Sequence, residues 1–285
     1  MKISAGRRSV LSSIFPARWP LIGNVHLAPL PGTPRYRGAT IEEIAARALG
    51  DALAYAKGGM DGLIIENHGD IPFLKPAAIG PEIIAAMTSV ACVVARETAL
   101  PIGINLLANH AIGALAIAKA SGARFVRVNQ WVNAYVSNEG VIEGESAAAL
   151  RFRRQIGAED IAVFADVHVK HGSHAIVADR SVSEQASDVE FYDADVVIAT
   201  GNRTGDAIPV AEIEAIRSGT ALPIIGGSGI TLDNAEEILG LLDGAIIGSS
   251  LKHDGVWWNP VEQDRVAALV AVVTKMRGRS ENRGG

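Results

Sequence analysis

The sequence predicts an α/β fold, a single (β/α)8 barrel with phosphate-binding loops after strands 7 and 8, and three observations carry that prediction. Short β-branched or apolar runs alternate eight times with longer amphipathic segments, the pattern of repeated strand–helix units. Polar residues crowd the C-terminal ends of these runs, where barrel enzymes place their chemistry. Glycine-rich phrases follow the last two runs, Gly226-Gly227-Ser228-Gly229-Ile230-Thr231 and Gly248-Ser249-Ser250.

The chain has 285 residues, within the range of a one-domain α/β barrel. We expect a mobile extension over 1–20, a barrel over 21–277 and a disordered tail over 278–285. Strands are expected over 21–26, 62–66, 101–106, 124–129, 161–169, 195–200, 222–226 and 244–248. The intervening helices fall over 41–57, 81–98, 111–121, 145–156, 183–191, 210–217, 234–241 and 261–277. Gly58-Gly59, Ser121-Gly122 and Asp243-Gly244 punctuate helix-to-strand joints, because glycine tolerates the left-handed conformation that ends a helix. A doubly wound sheet is the alternative, but no Gly-x-Gly-x-x-Gly follows the first strand.

With 48% hydrophobic residues and a formal net charge of −5, the chain lacks the basic excess that nucleic acid or an anionic membrane would require. The single cysteine, Cys92, permits no internal disulfide and sits in an apolar run, as a core residue of a cytoplasmic protein would. Arg7-Arg8 near the N-terminus faintly matches an export signal, but the apolar stretch after it is short and interrupted. No run is long enough for membrane insertion. A homo-oligomer is expected, since the outer helices of barrels often associate.

The two glycine phrases let backbone amides approach an anion, so Gly227, Ser228, Gly229, Gly248, Ser249 and Ser250 are candidate phosphate-binding residues. The alternative is that these glycines only permit tight turns. On the expected strand 161–169, alternation places Asp166 and His168 on one face, with Lys170 at the lip. With Glu66 and His26 they form the candidate catalytic set, as an acid–base pair or, through Glu66, Asp166 and His168, as a site for Mg2+, Mn2+ or Zn2+. A capping layer of mutually hydrogen-bonded polar groups is the competing reading. Lys170 suits Schiff-base chemistry if buried and anion binding if solvated. Asn67, Asp70, Asn105, Arg127, Asn129 and Thr200 lie at strand ends and are candidate substrate contacts. Residues 130–144 exceed an ordinary strand–helix turn and suit a lid. Trp257-Trp258 is expected to pack against the barrel.

Gly23-Asn24-Val25-His26-Leu27-Ala28-Pro29-Leu30-Pro31-Gly32, Asp61 through Asp70, Gly103-Ile104-Asn105 and Asp166-Val167-His168-Val169-Lys170-His171, together with the two glycine phrases, resemble the BtpA/SgcQ family over about 21–277. The resemblance implies a TIM barrel, a link to photosystem I biogenesis in photosynthetic relatives and an association with sugar metabolism. The chain departs from the family pattern at His68, where Phe or Tyr is usual, and at His110, where Asp is usual. Two functions follow as expectations. One is an isomerase, lyase or hydrolase acting on a phosphorylated sugar or nucleoside, with Asp166 and His168 moving protons. The other is a non-catalytic assembly factor acting through protein contacts.

Overall fold

A computed structural model describes residues 10–281, apart from residues 202 and 204. Helix α1, residues 10–14, leads into strand β1, Leu21–His26. Then come α2 Ile41–Gly58, β2 Gly62–Glu66, α3 Pro81–Thr98, β3 Ile102–Asn105, α4 Ala111–Ser121 and β4 Phe125–Val128. After a hairpin of β5 Ala134–Ser137 and β6 Gly140–Glu143, the chain continues through α5 Ser146–Gln155, β7 Ala162–Asp166 and α6 Val182–Phe191. It ends with β8 Val196–Ala199, α7 Val210–Gly219, β9 Ile224–Gly226, α8 Ala235–Gly240, β10 Gly244–Ile247 and α9 Gln263–Glu281. Eight of these strands close a parallel barrel in the order β1-β10-β9-β8-β7-β4-β3-β2, as the sequence predicts.

Local chemistry sets the helix boundaries. Thr40 accepts from the Glu43 amide while Glu43 reaches back to the Thr40 amide, a capping box that starts α2. Gly59 then ends that helix at φ 94°. Pro81 opens α3, where its missing N–H is no loss.

The floor of the barrel is apolar and closed from below. Leu11, Ile14 and Phe15 join Ile22, Ile64, Phe125 and Phe164 in one buried cluster. Phe15 meets Phe125 edge-on at 5.8 Å between ring centroids, and Phe125 stacks on Phe164 at 4.5 Å. The expected mobile extension over 1–20 is therefore corrected for 10–20, which pack as a plug because three apolar side chains find the open end of the barrel. Residues 1–9 lie outside the described residues. The expected tail is corrected as well, since α9 runs to Glu281; only 282–285 lie outside the described residues. Among the described residues no helix is long and apolar enough to cross a membrane.

The fifth barrel strand is shorter than its sequence pattern. It ends at Asp166, not Val169. The Val167 amide makes a last bond to the Ile198 carbonyl, and the Thr200 hydroxyl takes the His168 carbonyl at 3.1 Å, turning the chain out of the ladder. That turn decides which polar groups reach the mouth.

Candidate functional site

A cavity of about 460 Å3 opens at the C-terminal mouth of the barrel. Its wall combines strand ends, the two glycine phrases, the β5–β6 hairpin and the Trp257 loop. All six candidate phosphate-loop residues line it: Gly227, Ser228, Gly229, Gly248, Ser249 and Ser250. Two of the serine hydroxyls hold the loops in place. Ser228 Oγ accepts from the Gly201 amide at 3.1 Å, and Ser250 Oγ donates to the Ile230 carbonyl at 2.8 Å. Gly229 sits at φ 68°, and a side chain there would also collide with the Asp206 carbonyl. A Cβ on Gly248 would lie 3.1 Å from His26 Cε1, so glycine keeps this wall open above the histidine.

The expected Asp166–His168 pair does not form. Asp166 is fully buried and held by Arg127, whose Nε and Nη2 donate to its two oxygens at 3.0 and 2.9 Å, with Asn129 Nδ2 adding a bond at 3.3 Å. His168 lies beyond the end of β7, where strand alternation no longer applies. Its Nδ1 is 3.4 Å from Glu212 of α7, and its ring centroid is 3.9 Å from that of His174. Neither residue lines the cavity. The expected metal set of Glu66, Asp166 and His168 is corrected for the same reason.

Of four further candidates, three serve as braces. Asn67 donates to Asp70 at 2.9 Å and to the Leu107 carbonyl at 3.2 Å, and it accepts from the Leu107 amide. Asp70 accepts from the Leu30 amide at 2.8 Å, and burial pushes its carboxyl pKa up. Together they tie the loops after β1, β2 and β3. Thr200 anchors the His168 carbonyl, as described above. Asn105 is buried beneath the mouth, with neither amide atom partnered. None of the four lines the cavity, which corrects their reading as substrate contacts.

Glu66, His26, Lys170, Arg127 and Asn129 do reach the cavity wall. Burial lowers the Lys170 amine to about 8, and the Arg127 guanidinium adds to that, against partial compensation from Glu66, Asp166 and Asp206. Burial also lowers the His26 imidazole to about 3. Glu66 accepts from Asn24 Nδ2 at 2.9 Å, and its other oxygen is 3.0 Å from His68 Nδ1. Burial opposes its charge, yet the His68 hydrogen bond and the neighbouring positive charge hold its carboxyl well below the usual range.

Sequence reasoning read His68 as a departure from the family pattern and expected Trp257-Trp258 to pack against the barrel. Both line the cavity. The Trp257 ring stands edge-on to His68 at 4.4 Å between centroids, and its carbonyl is 3.1 Å from His26 Nδ1. The polar run Glu66-Asn67-His68 was a visible signal for His68; nothing in the sequence ties Trp257 to the first strand. Tyr135 and Ser137 bring the hairpin over the mouth. Among the described residues, His26, Glu66 and His68 form a group with metal-ligand spacing.

Comparison with known proteins matches residues 17–275 to the family model described as BtpA family. A protein of Archaeoglobus fulgidus is 40% identical over 250 residues, covering 88% of this chain and 96% of its own length. The photosystem I biogenesis protein BtpA of Synechocystis is 35% identical over 266 residues, covering 93% and 91%. Among solved structures, thiamine phosphate pyrophosphorylase from Pyrococcus furiosus superposes with a TM-score of 0.52 at 16% identity, covering 90% of this chain and 96% of that one. At that identity the likeness concerns the fold.

Proposed function

The chain belongs to the BtpA family, and on that premise we propose that it is an enzyme acting on a phosphorylated small molecule, a sugar or nucleoside phosphate. The observation that carries the reading is a single cavity in which both glycine–serine loops and the partly buried Lys170 line the wall. The loops supply backbone at close approach for phosphate oxygens without a bulky side chain in the way. The name of thiamine phosphate pyrophosphorylase, a protein of the same fold, also includes a phosphorylated compound.

Lys170 takes the proton-transfer role that was expected of Asp166 and His168. An amine poised near 8 divides between its two protonation states close to neutral pH, where general acid–base catalysis is most efficient. Arg127 and Asp166, locked together, fix the electrostatic background against which that amine titrates. Proton removal beside a carbonyl, leading to isomerisation or carbon–carbon cleavage, suits this arrangement. A second reading, a part in assembling a larger complex, rests on the name of the Synechocystis relative.

Calorimetric titration of the purified protein with ribose 5-phosphate, ribose and inorganic phosphate tests the phosphate corner. The phosphorylated sugar and free phosphate should bind and ribose should not. Ser249→Asp, which brings a negative charge to the loop, should weaken both by at least about tenfold, equivalent to about 1.4 kcal/mol. If neither phosphate compound binds the wild-type protein, the enzyme reading fails and the assembly reading gains.

A further inference from the structure

His26 ends β1 and Glu66 ends β2, and the two residues are register partners on adjacent parallel strands. Their side chains therefore leave the barrel on the same side at the same level. His68 follows two residues later, in the turn after β2, and its ring lies 4.9 Å from that of His26 between centroids. Each of the three residues offers one donor atom, and those atoms lie within 4.8 Å of one another.

The surrounding bonds orient these donors. A backbone carbonyl can only accept, so the 3.1 Å contact between His26 Nδ1 and the Trp257 carbonyl puts the ring proton on Nδ1 and leaves the lone pair on Nε2. Gly248 carries no side chain to crowd that face; a Cβ there would come within 3.5 Å of Nε2. Asn24 Nδ2 holds one oxygen of Glu66 and leaves the other turned to His68. A carbonyl behind one imidazole and an amide behind the carboxylate are the kind of outer partners that position metal ligands.

We propose that His26, Glu66 and His68 bind one divalent first-row transition-metal ion of the zinc class, with the remaining coordination positions open to the cavity. Two imidazoles and one carboxylate favour such an ion over Mg2+ or Ca2+, which take oxygen ligands. Coordination through His68 Nδ1 requires the proton shared with Glu66 to move to Nε2, or to leave for solvent if the ring carries two. The ion would occupy the side of the cavity beneath Trp257, next to the loop of Gly248. The site stands on its own residues and does not depend on the phosphate reading.

The test uses untagged full-length protein stripped with a chelator and titrated with Co2+ and Zn2+. One equivalent of Co2+ per chain should bind with visible ligand-field absorption, Zn2+ should displace it, and excess Mg2+ should not. His68→Phe, which keeps a ring against Trp257, and Glu66→Gln should each weaken binding by at least 10-fold while circular dichroism and thermal melting report a folded protein. Substoichiometric binding to the wild type, or unchanged binding in folded His68→Phe, overturns the proposal. Titration of the stripped protein with inorganic phosphate separates the two readings: phosphate binding without cobalt binding sinks the metal site alone, and the reverse result sinks the phosphate corner alone.

Discussion

On strand β4, Phe125 faces the floor of the barrel, while Arg127, two residues on, faces its mouth. The same change recurs around the ring: Ile64 gives way to Glu66 on β2 and Phe164 to Asp166 on β7. At the floor the aromatic rings of Phe15, Phe125 and Phe164 pack with one another and with a cluster of buried apolar side chains. At the mouth, Asn105 has two buried amide atoms without partners, and Asn24 and Asn129 have one each. Burying polar groups in that state costs free energy, so the mouth carries a stability penalty that the floor offsets. Stability and chemistry are separated along each strand by about two residues, roughly 7 Å.

Phe15→Ala should have the largest effect on stability. It removes a fully buried ring from the plug and should lower the unfolding free energy by about 3–5 kcal/mol in urea denaturation. At a temperature where the variant remains folded, phosphate and cobalt titrations should match wild type. Lost binding in the folded variant would break the separation between floor and mouth.

Lys170→Met should act in the opposite direction. The folded amine titrates at about 8, against 10.5 for an ordinary lysine, so below pH 8 the folded protein bears the cost of a buried charge. Between about 8 and 10.5 the unfolded chain holds more protons than the folded one, and wild-type stability rises with pH. The methionine variant should therefore be more stable than wild type by roughly 3 kcal/mol at pH 7, with the gap closing towards pH 10.5. A gap that does not change with pH would show that the amine is not held at a penalty.

The smallest stability effect is expected at Asn105. Replacing it with leucine exchanges two unpartnered polar atoms for apolar ones of similar volume, and the result should lie between neutral and about 1 kcal/mol more stable. A loss of several kcal/mol would mean that this amide is satisfied in the folded protein and that the mouth carries less penalty than described.

Strand and helix positions were legible because period and punctuation are local properties. Pro81, Gly59 and the Thr40–Glu43 box mark their boundaries without help from distant residues. The reading of β7 failed because Val167 and Val169 continue the apolar alternation after the ladder has stopped. Where a ladder ends depends on its neighbours, here the carbonyl of Ile198 and the hydroxyl of Thr200, which belong to another strand. Arg127 and Asp166 were both singled out as polar strand ends, but as a substrate contact and a base. Only the adjacency of β4 and β7, which sets Arg127 opposite Phe164, makes them partners for each other.

The amino-acid sequence by itself determined the eightfold alternation, the polar strand ends and the two glycine phrases, because each is written in residues a few positions apart. Tertiary structure decided which strand ends share a site. Closing the sheet sets β1 beside β10 and brings the loop of Trp257 over His26 and His68. It also draws Asp166 beneath Arg127 and leaves Lys170 at the cavity wall. Neighbouring strands lie about 4.8 Å apart whatever the length of chain between them, so contact across a barrel is set by strand order and register, which local spacing does not encode.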